Sequence, residues 1–144
     1  MGKLKNVEEL NNLRLLLKDE FFKEGKERIR VCTGTACTAS GAYKVIEEIE
    51  KKAKEIGLEI EIAKTGCQGL CQKGPVMRVE PFGYFYQKVK PNDANAIIIE
   101  TFSSGYPVRH LMYRDYFYKE PYESMEQLPF YKKQFRIALR NNDR

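Results

Sequence analysis

The sequence predicts an α/β fold, a mixed sheet with flanking helices, and three observations carry that reading. Two short runs, "RIRVC" at residues 28–32 and "LEIEIA" at 58–63, alternate apolar with polar side chains, the period-two signature of strands. Between them lies an apolar stripe at helical spacing, so strand, helix and strand form one right-handed parallel crossover. Beyond the second run, "VMRVE" and "YFYQKV" flank "PFG" and read as an antiparallel hairpin, which makes the sheet mixed.

Residues 6–22, "NVEELNNLRLLLKDEFF", place Leu10, Leu13, Leu17 and Phe21 on one helical face, and Asn6 with Glu9 three residues on matches a capping box. Gly25 and the charges around it close this amphipathic helix. In the strand that follows, Ile29 and Val31 alternate with arginines, as on a half-buried surface. The next helix starts from Ser40 as its N-cap, carries Val45, Ile46, Ile49, Ala53 and Ile56 as its stripe, and ends at Gly57. Strict alternation then buries Leu58, Ile60 and Ile62 on one side of the second strand. Gly83 is available for a positive φ in the hairpin turn, and Pro91 stops the last strand.

"NDANAIIIETFSSG" predicts a third helix, capped by Asn92 or Asp93 and ended near Gly105, although Ile97 to Ile99 suit a strand equally on propensity. After Gly105 the texture changes. Pro107, Pro121 and Pro129 interrupt a segment rich in Tyr and Phe, with little periodicity until about Tyr131. The expected organisation is an N-terminal amphipathic helix (1–26), a core (27–105) and an irregular, aromatic and basic C-terminal extension (106–144), without a second domain or an internal repeat.

With 144 residues, 42% hydrophobic and 31% charged, the chain suits one compact domain with appendages and not a disordered or low-complexity polymer. Apolar runs such as Ile97 to Ile99 are far too short to cross a bilayer, so no membrane insertion is expected. "MGKLKN" carries charge without a following apolar block or cleavage site, and Asn6 spoils a myristoylation motif; the expected location is the cytoplasm. A reducing compartment disfavours structural disulfides, and four spaced cysteines then point to a metal. The net charge of +5 favours an acidic partner but does not by itself ask for nucleic acid, which needs a concentrated basic face.

The cysteines form two pairs, Cys32 with Cys37 and Cys67 with Cys71, each just past the end of one of two parallel strands, where open α/β sheets place their ligands. Four thiolates are the usual complement of a [2Fe-2S] cluster, two for each iron. Gly34, Gly66, Gly69 and Gly74 let the backbone approach an anionic centre and turn N–H groups toward it. Zinc is the alternative, a purely structural site in an interaction domain, but structural zinc usually exploits C-x2-C turns, and neither pair has that spacing. A thiol exchanger wants the same absent motif at a helix start.

"CTGTAC" followed by "GCQGLCQKGPVMRVEPFGYFYQKV" resembles the thioredoxin-like [2Fe-2S] ferredoxin family over about residues 28–105. That resemblance implies a thioredoxin-like core, a [2Fe-2S] cluster on Cys32, Cys37, Cys67 and Cys71, and one-electron transfer. The family also occurs as a domain of the flavoprotein, NADH-oxidising subunit of NADH dehydrogenases and of NAD(P)-linked hydrogenases. "LPFYKKQFRIALRN" resembles the segment that joins it there to the flavin-bearing portion. The family usually continues with a cysteine and a glycine, where this chain has Asn142 and Asp143, so it is either a free-standing relative or a fragment. No dinucleotide fingerprint follows a strand, and no flavin or nicotinamide site is expected.

His110 is the single histidine, too few for Rieske-type ligation, and no nucleophile has an identifiable base; an independent catalytic site is not seen. In the extension, Tyr116, Phe117, Tyr118, Phe130, Tyr131 and Phe135 with Lys132, Lys133 and Arg136 have a composition that suits stacked bases, but no nucleic-acid motif accompanies them. Packing on the core and docking of a redox partner, such as a hydrogenase or NADH dehydrogenase subunit, are the two favoured uses. Homodimerisation through the hairpin or the tail stays open.

Overall fold

The structure, a computed structural model, describes residues 3–21, 26–116, 120–138 and 142. Four strands, β1 (Arg28–Cys32), β2 (Glu61–Thr65), β3 (Met77–Glu80) and β4 (Tyr84–Tyr86), form one mixed sheet in the order β2-β1-β3-β4. β1 runs parallel to β2, pairing Arg28 with Glu61 and Cys32 with Thr65, and antiparallel to β3. The crossover and the hairpin thus both form as the patterns predict, and Gly83 turns the hairpin at φ +76°. The second strand starts three residues later than its alternation suggests; Leu58 and Ile60 pack against the core from the approach to it.

The crossover helix is two helices, α2 (Thr35–Ala39) and α3 (Ala42–Glu55). Ser40 closes α2 instead of opening α3, whose N-cap is Gly41 at φ +94°. A left-handed residue between the two lets the chain turn sharply and leaves Cys37 on a helix of its own. Val45, Ile46, Ile49 and Ala53 are buried as expected, joined by Ala42, while Ile56 is 52% exposed because the helix has already ended. Gly57 N donates to Lys54 O and Leu58 N to Ala53 O, the paired bonds of a Schellman stop.

The third helix is confirmed over the strand reading of Ile97 to Ile99. Pro91–Asp93 is a 3-10 turn in which Asp93 Oδ2 accepts from Lys90 N at 2.8 Å; α4 (Ala94–Ala96) follows and continues as a π-helical stretch, Ile97–Ser103. Ile97, Ile98, Thr101 and Phe102 are buried along one helical face, the spacing that helix and not strand geometry gives.

The first face of the sheet presents Ile29, Val31, Met77 and Val79 to α3 and the α4 region. On the other face Arg30, Arg78 and Phe85 are cross-strand neighbours. There β1 departs from the half-buried expectation: Arg28 is 3% exposed, with Nη2 2.9 Å from Glu61 Oε2, and Arg30 Nε lies 3.2 Å from Glu80 Oε1. The covering layer comes from the C-terminal segment, where Met125, Leu128 and Tyr131 are buried and the Phe85 and Tyr131 rings meet edge to face at 6.1 Å. Val108, Leu111 and Met112 belong to the same core, so buried side chains lie on both sides of residue 105. A short helix, α5 (Pro129–Lys132), seats Tyr131.

α1 (Val7–Phe21) forms with Asn6 Oδ1 accepting from Glu9 N at 2.8 Å, half of the expected box; Glu9 Oε2 accepts from Lys5 N instead of Asn6 N. Its apolar row is not buried: Leu10 is 51% and Leu17 37% exposed, because no neighbouring element lies against that face among the described residues. The Phe21 side chain and Gly25 lie outside the described residues, as do Phe117 and Tyr118.

Candidate metal centre

Both cysteine pairs sit at one end of the sheet because β1 and β2 are parallel and end level with each other. Cys32 is the last residue of β1, its N donating to Val76 O at 3.0 Å. Thr33 ties the two strand ends together, with N 3.0 Å and Oγ1 3.1 Å from Thr65 O. α2 then brings Cys37 back over the strand end, and the turn after Thr65 carries Cys67 and Cys71. The loops are in close contact: a Cβ built on Gly34 would stand 3.0 Å from Cys67 Cβ. A side chain at Gly34 would push the two loops apart by a few tenths of an ångström.

The structure brings together all four sequence-predicted thiols. Cys67 and Cys71 Sγ are 3.7 Å apart. A tetrahedral metal with sulfur bonds of about 2.3 Å spans neighbouring sulfurs about 3.8 Å apart, so this pair fits one ion between them. Burial first, then the adjacent Cys32 thiol, pushes Cys37 up to about 12, with a further contribution from Cys67 across the loops. Cys71 is raised by its hydrogen bond to Cys67 and by the charge of Cys67, and also by Cys32. Raised Cys37 and Cys71 thiols beside Cys32 and Cys67 resist ionising, and a cationic centre is what makes four thiolates compatible at one site. Among the described residues no three His, Cys, Asp or Glu side chains converge on a single ion position. The described thiols lie as two pairs, Cys32 with Cys37 and Cys67 with Cys71, on adjacent loops.

Exposure divides the site. Cys32 and Cys37 are each 2% exposed, whereas Cys67 and Cys71 face solvent. Gly69 N donates toward Cys67 Sγ at 3.4 Å, one of the backbone donors the glycine pattern predicts. The stretches 28–46 and 62–79, which carry the four cysteines, contain no Asp or Glu but include Lys44, Lys64, Lys73 and Arg78. That asymmetry was readable in the sequence as a signal for an anionic centre. What the sequence did not reveal is the part played by the tail: Tyr131 Oη donates to Gln68 O at 2.8 Å, Arg136 Nη2 to the same oxygen at 3.2 Å, and Asn142 Nδ2 to Cys67 O at 2.7 Å. Tyr131 and Arg136 thus pack on the cysteine turn, whereas Tyr116 and Phe135 are exposed. His110 is exposed, 3.2 Å from Asp93 Oδ1 and remote in sequence from every cysteine.

The family model of the thioredoxin-like [2Fe-2S] ferredoxin matches residues 20–102. A 2Fe-2S ferredoxin of Aquifex aeolicus is 31% identical over 80 residues, 54% of this chain and 72% of the relative. One from Clostridium pasteurianum is 27% identical over 96 residues, 60% of this chain and 94% of the relative. Among solved structures, the thioredoxin-like [2Fe-2S] ferredoxin from Aquifex aeolicus superposes with a TM-score of 0.54 at 28% identity, covering 60% of this chain and 88% of that one. Its wild-type crystal structure at 1.5 Å gives a TM-score of 0.55 at 27% identity, covering 62% and 98%. Nothing in these matches supports the zinc alternative.

Proposed function

The chain belongs to the thioredoxin-like [2Fe-2S] ferredoxin family, and on that premise we propose that Cys32, Cys37, Cys67 and Cys71 hold its cluster and that its partners are redox subunits of the NADH dehydrogenase or NAD(P)-linked hydrogenase type. A [2Fe-2S] cluster stores and releases one electron, which makes the protein a carrier and explains why its chemistry needs no acid, base or hydride site. The convergence of two thiol pairs from adjacent loops is the observation that carries the ligand assignment. Cys32 and Cys37 anchor the buried side of the site; Cys67 and Cys71 form its exposed side, where a partner approaches. Lysines and an absence of carboxylates in these loops favour an acidic docking surface, in keeping with the net charge of +5. The hydrogenase or NADH dehydrogenase assignment rests on the resemblance of "LPFYKKQFRIALRN" to a joining segment.

Anaerobic reconstitution of the full chain tests the ligands. About two irons and two sulfides per chain, with a paramagnetic signal on reduction, are expected, and replacing any of the four cysteines by serine should change or abolish that signal. An unaltered spectrum removes that cysteine from the set. For the partners, the reduced protein should pass electrons to a hydrogenase or NADH dehydrogenase flavoprotein subunit at a rate that falls as salt rises; a rate equal to that with an unrelated flavoprotein discards the assignment.

A further inference from the structure

The C-terminal segment touches the cysteine turn through three separate donors, and all three end on two neighbouring carbonyls. Tyr131 Oη and Arg136 Nη2 both reach Gln68 O, and Asn142 Nδ2 reaches Cys67 O. Asn142 also accepts in return, its backbone O receiving Gly66 N at 3.0 Å. Below, the strap is anchored in the core: Leu128 is fully buried, Tyr131 N donates to Leu128 O at 3.0 Å, and the Tyr131 ring packs on Phe85 and Phe130. Above, the Arg136 guanidinium stacks over that ring at 4.6 Å.

Gln68 O and Gly69 N belong to one peptide plane. In a trans peptide the carbonyl and the N–H point in opposite directions. Holding Gln68 O toward Tyr131 and Arg136 therefore aims Gly69 N–H the other way, where it meets Cys67 Sγ at 3.4 Å. A hydrogen bond to a sulfur ligand and a nearby cation both favour the more negative, reduced state of a cluster, whose formal charge with four thiolates goes from about −2 to about −3 on reduction.

Resting on the ligand assignment above, we propose that Tyr131, Arg136 and Asn142 are positioning residues of the redox centre. They fix the peptide between Gln68 and Gly69 so that its N–H serves the Cys67 sulfur, and Arg136 adds a positive charge that favours reduction. The C-terminal segment is thereby part of the electron-transfer unit and tunes its potential.

Two measurements on the full chain test this. In the reconstituted protein, Arg136→Gln should lower the reduced-to-oxidised ratio about fivefold at the wild-type midpoint potential, and Tyr131→Phe about threefold, both toward a more negative potential. Arg136→Lys, which keeps the charge, should recover most of the loss, a rescue that a purely structural contact would not give. In the metal-free chain, Gly69 amide exchange should quicken about tenfold in Tyr131→Phe and Arg136→Gln, while Ile29 and Val45, in the sheet and α3, stay unchanged. Ratios and Gly69 exchange both within twofold of wild type would overturn the strap. If wild type itself assembles no cluster, the ligand assignment fails, and the exchange result alone then decides whether the strap orders the turn. A variant that folds but loses its cluster, with Gly69 exchange unchanged, also counts against it.

Discussion

Gly74 leaves room for the Cys37 sulfur: a Cβ at Gly74 would stand 2.8 Å from Cys37 Sγ. Backbone of one cysteine loop thus forms the wall behind the thiol of the other. Gly74→Ala should displace the buried sulfur or open the loops, costing about 1–3 kcal/mol and lowering cluster content. Iron and sulfide per chain after anaerobic reconstitution, read beside Tm, check this; full occupancy with an unshifted spectrum would show that the sulfur has freedom to move aside.

Tyr86 ties the sheet to the helical layer. Its hydroxyl lies 2.7 Å from Thr101 Oγ1 and accepts from Val108 N at 3.0 Å, all in the core. Tyr86→Phe leaves the Val108 N–H without that acceptor and should cost about 1–3 kcal/mol, measured by urea unfolding. The cluster spectrum should not change, because none of these groups reaches the cysteine loops.

Glu61 accepts from Lys26 and Arg28, which hold its carboxyl below the usual carboxylate range. A lowered folded pKa contributes stability that is fully present above the unfolded value of about 4.3 and is lost as pH falls through the folded value. Because Glu61 is 35% exposed, screening trims the effect. Glu61→Gln should therefore be less stable than wild type at pH 7 by about 1 kcal/mol and should lose less on acidification below about pH 5. Parallel stability curves for the two proteins would sink this.

Ile49 is fully buried on α3 against the sheet. Ile49→Ala should cost about 2–5 kcal/mol by leaving a cavity. Removing the cluster should do less to the fold: Cys32 and Cys37 belong to the core, but most of it, from Ile29, Val45 and Ile49 to Val79 and Ile97, is apolar packing that needs no metal. Far-ultraviolet circular dichroism of the metal-free chain should retain the helical and strand signal, and collapse to a coil would contradict it.

The sequence by itself determined the elements whose evidence is local. Alternation at Ile29 and Val31 marked β1, the stripe from Val45 to Ala53 marked α3, and Gly57 marked its end. These succeed because a side chain's periodicity is fixed by the backbone geometry it must satisfy. Tertiary structure decided the rest. Ser40 satisfied the local rule for an N-cap yet closes α2, since the turn that carries Cys37 back to the strand end needs Gly41 in a left-handed conformation. Leu10 and Leu17 have helical spacing but no surface to cover among the described residues. Arg30, polar by composition, lies beside Met125, a residue about one hundred positions later. The same distance hid the contacts of Tyr131, Arg136 and Asn142 with the cysteine turn. A period records which face of an element is apolar; it carries no record of which distant segment comes to rest there, and that choice is made only when the whole core packs.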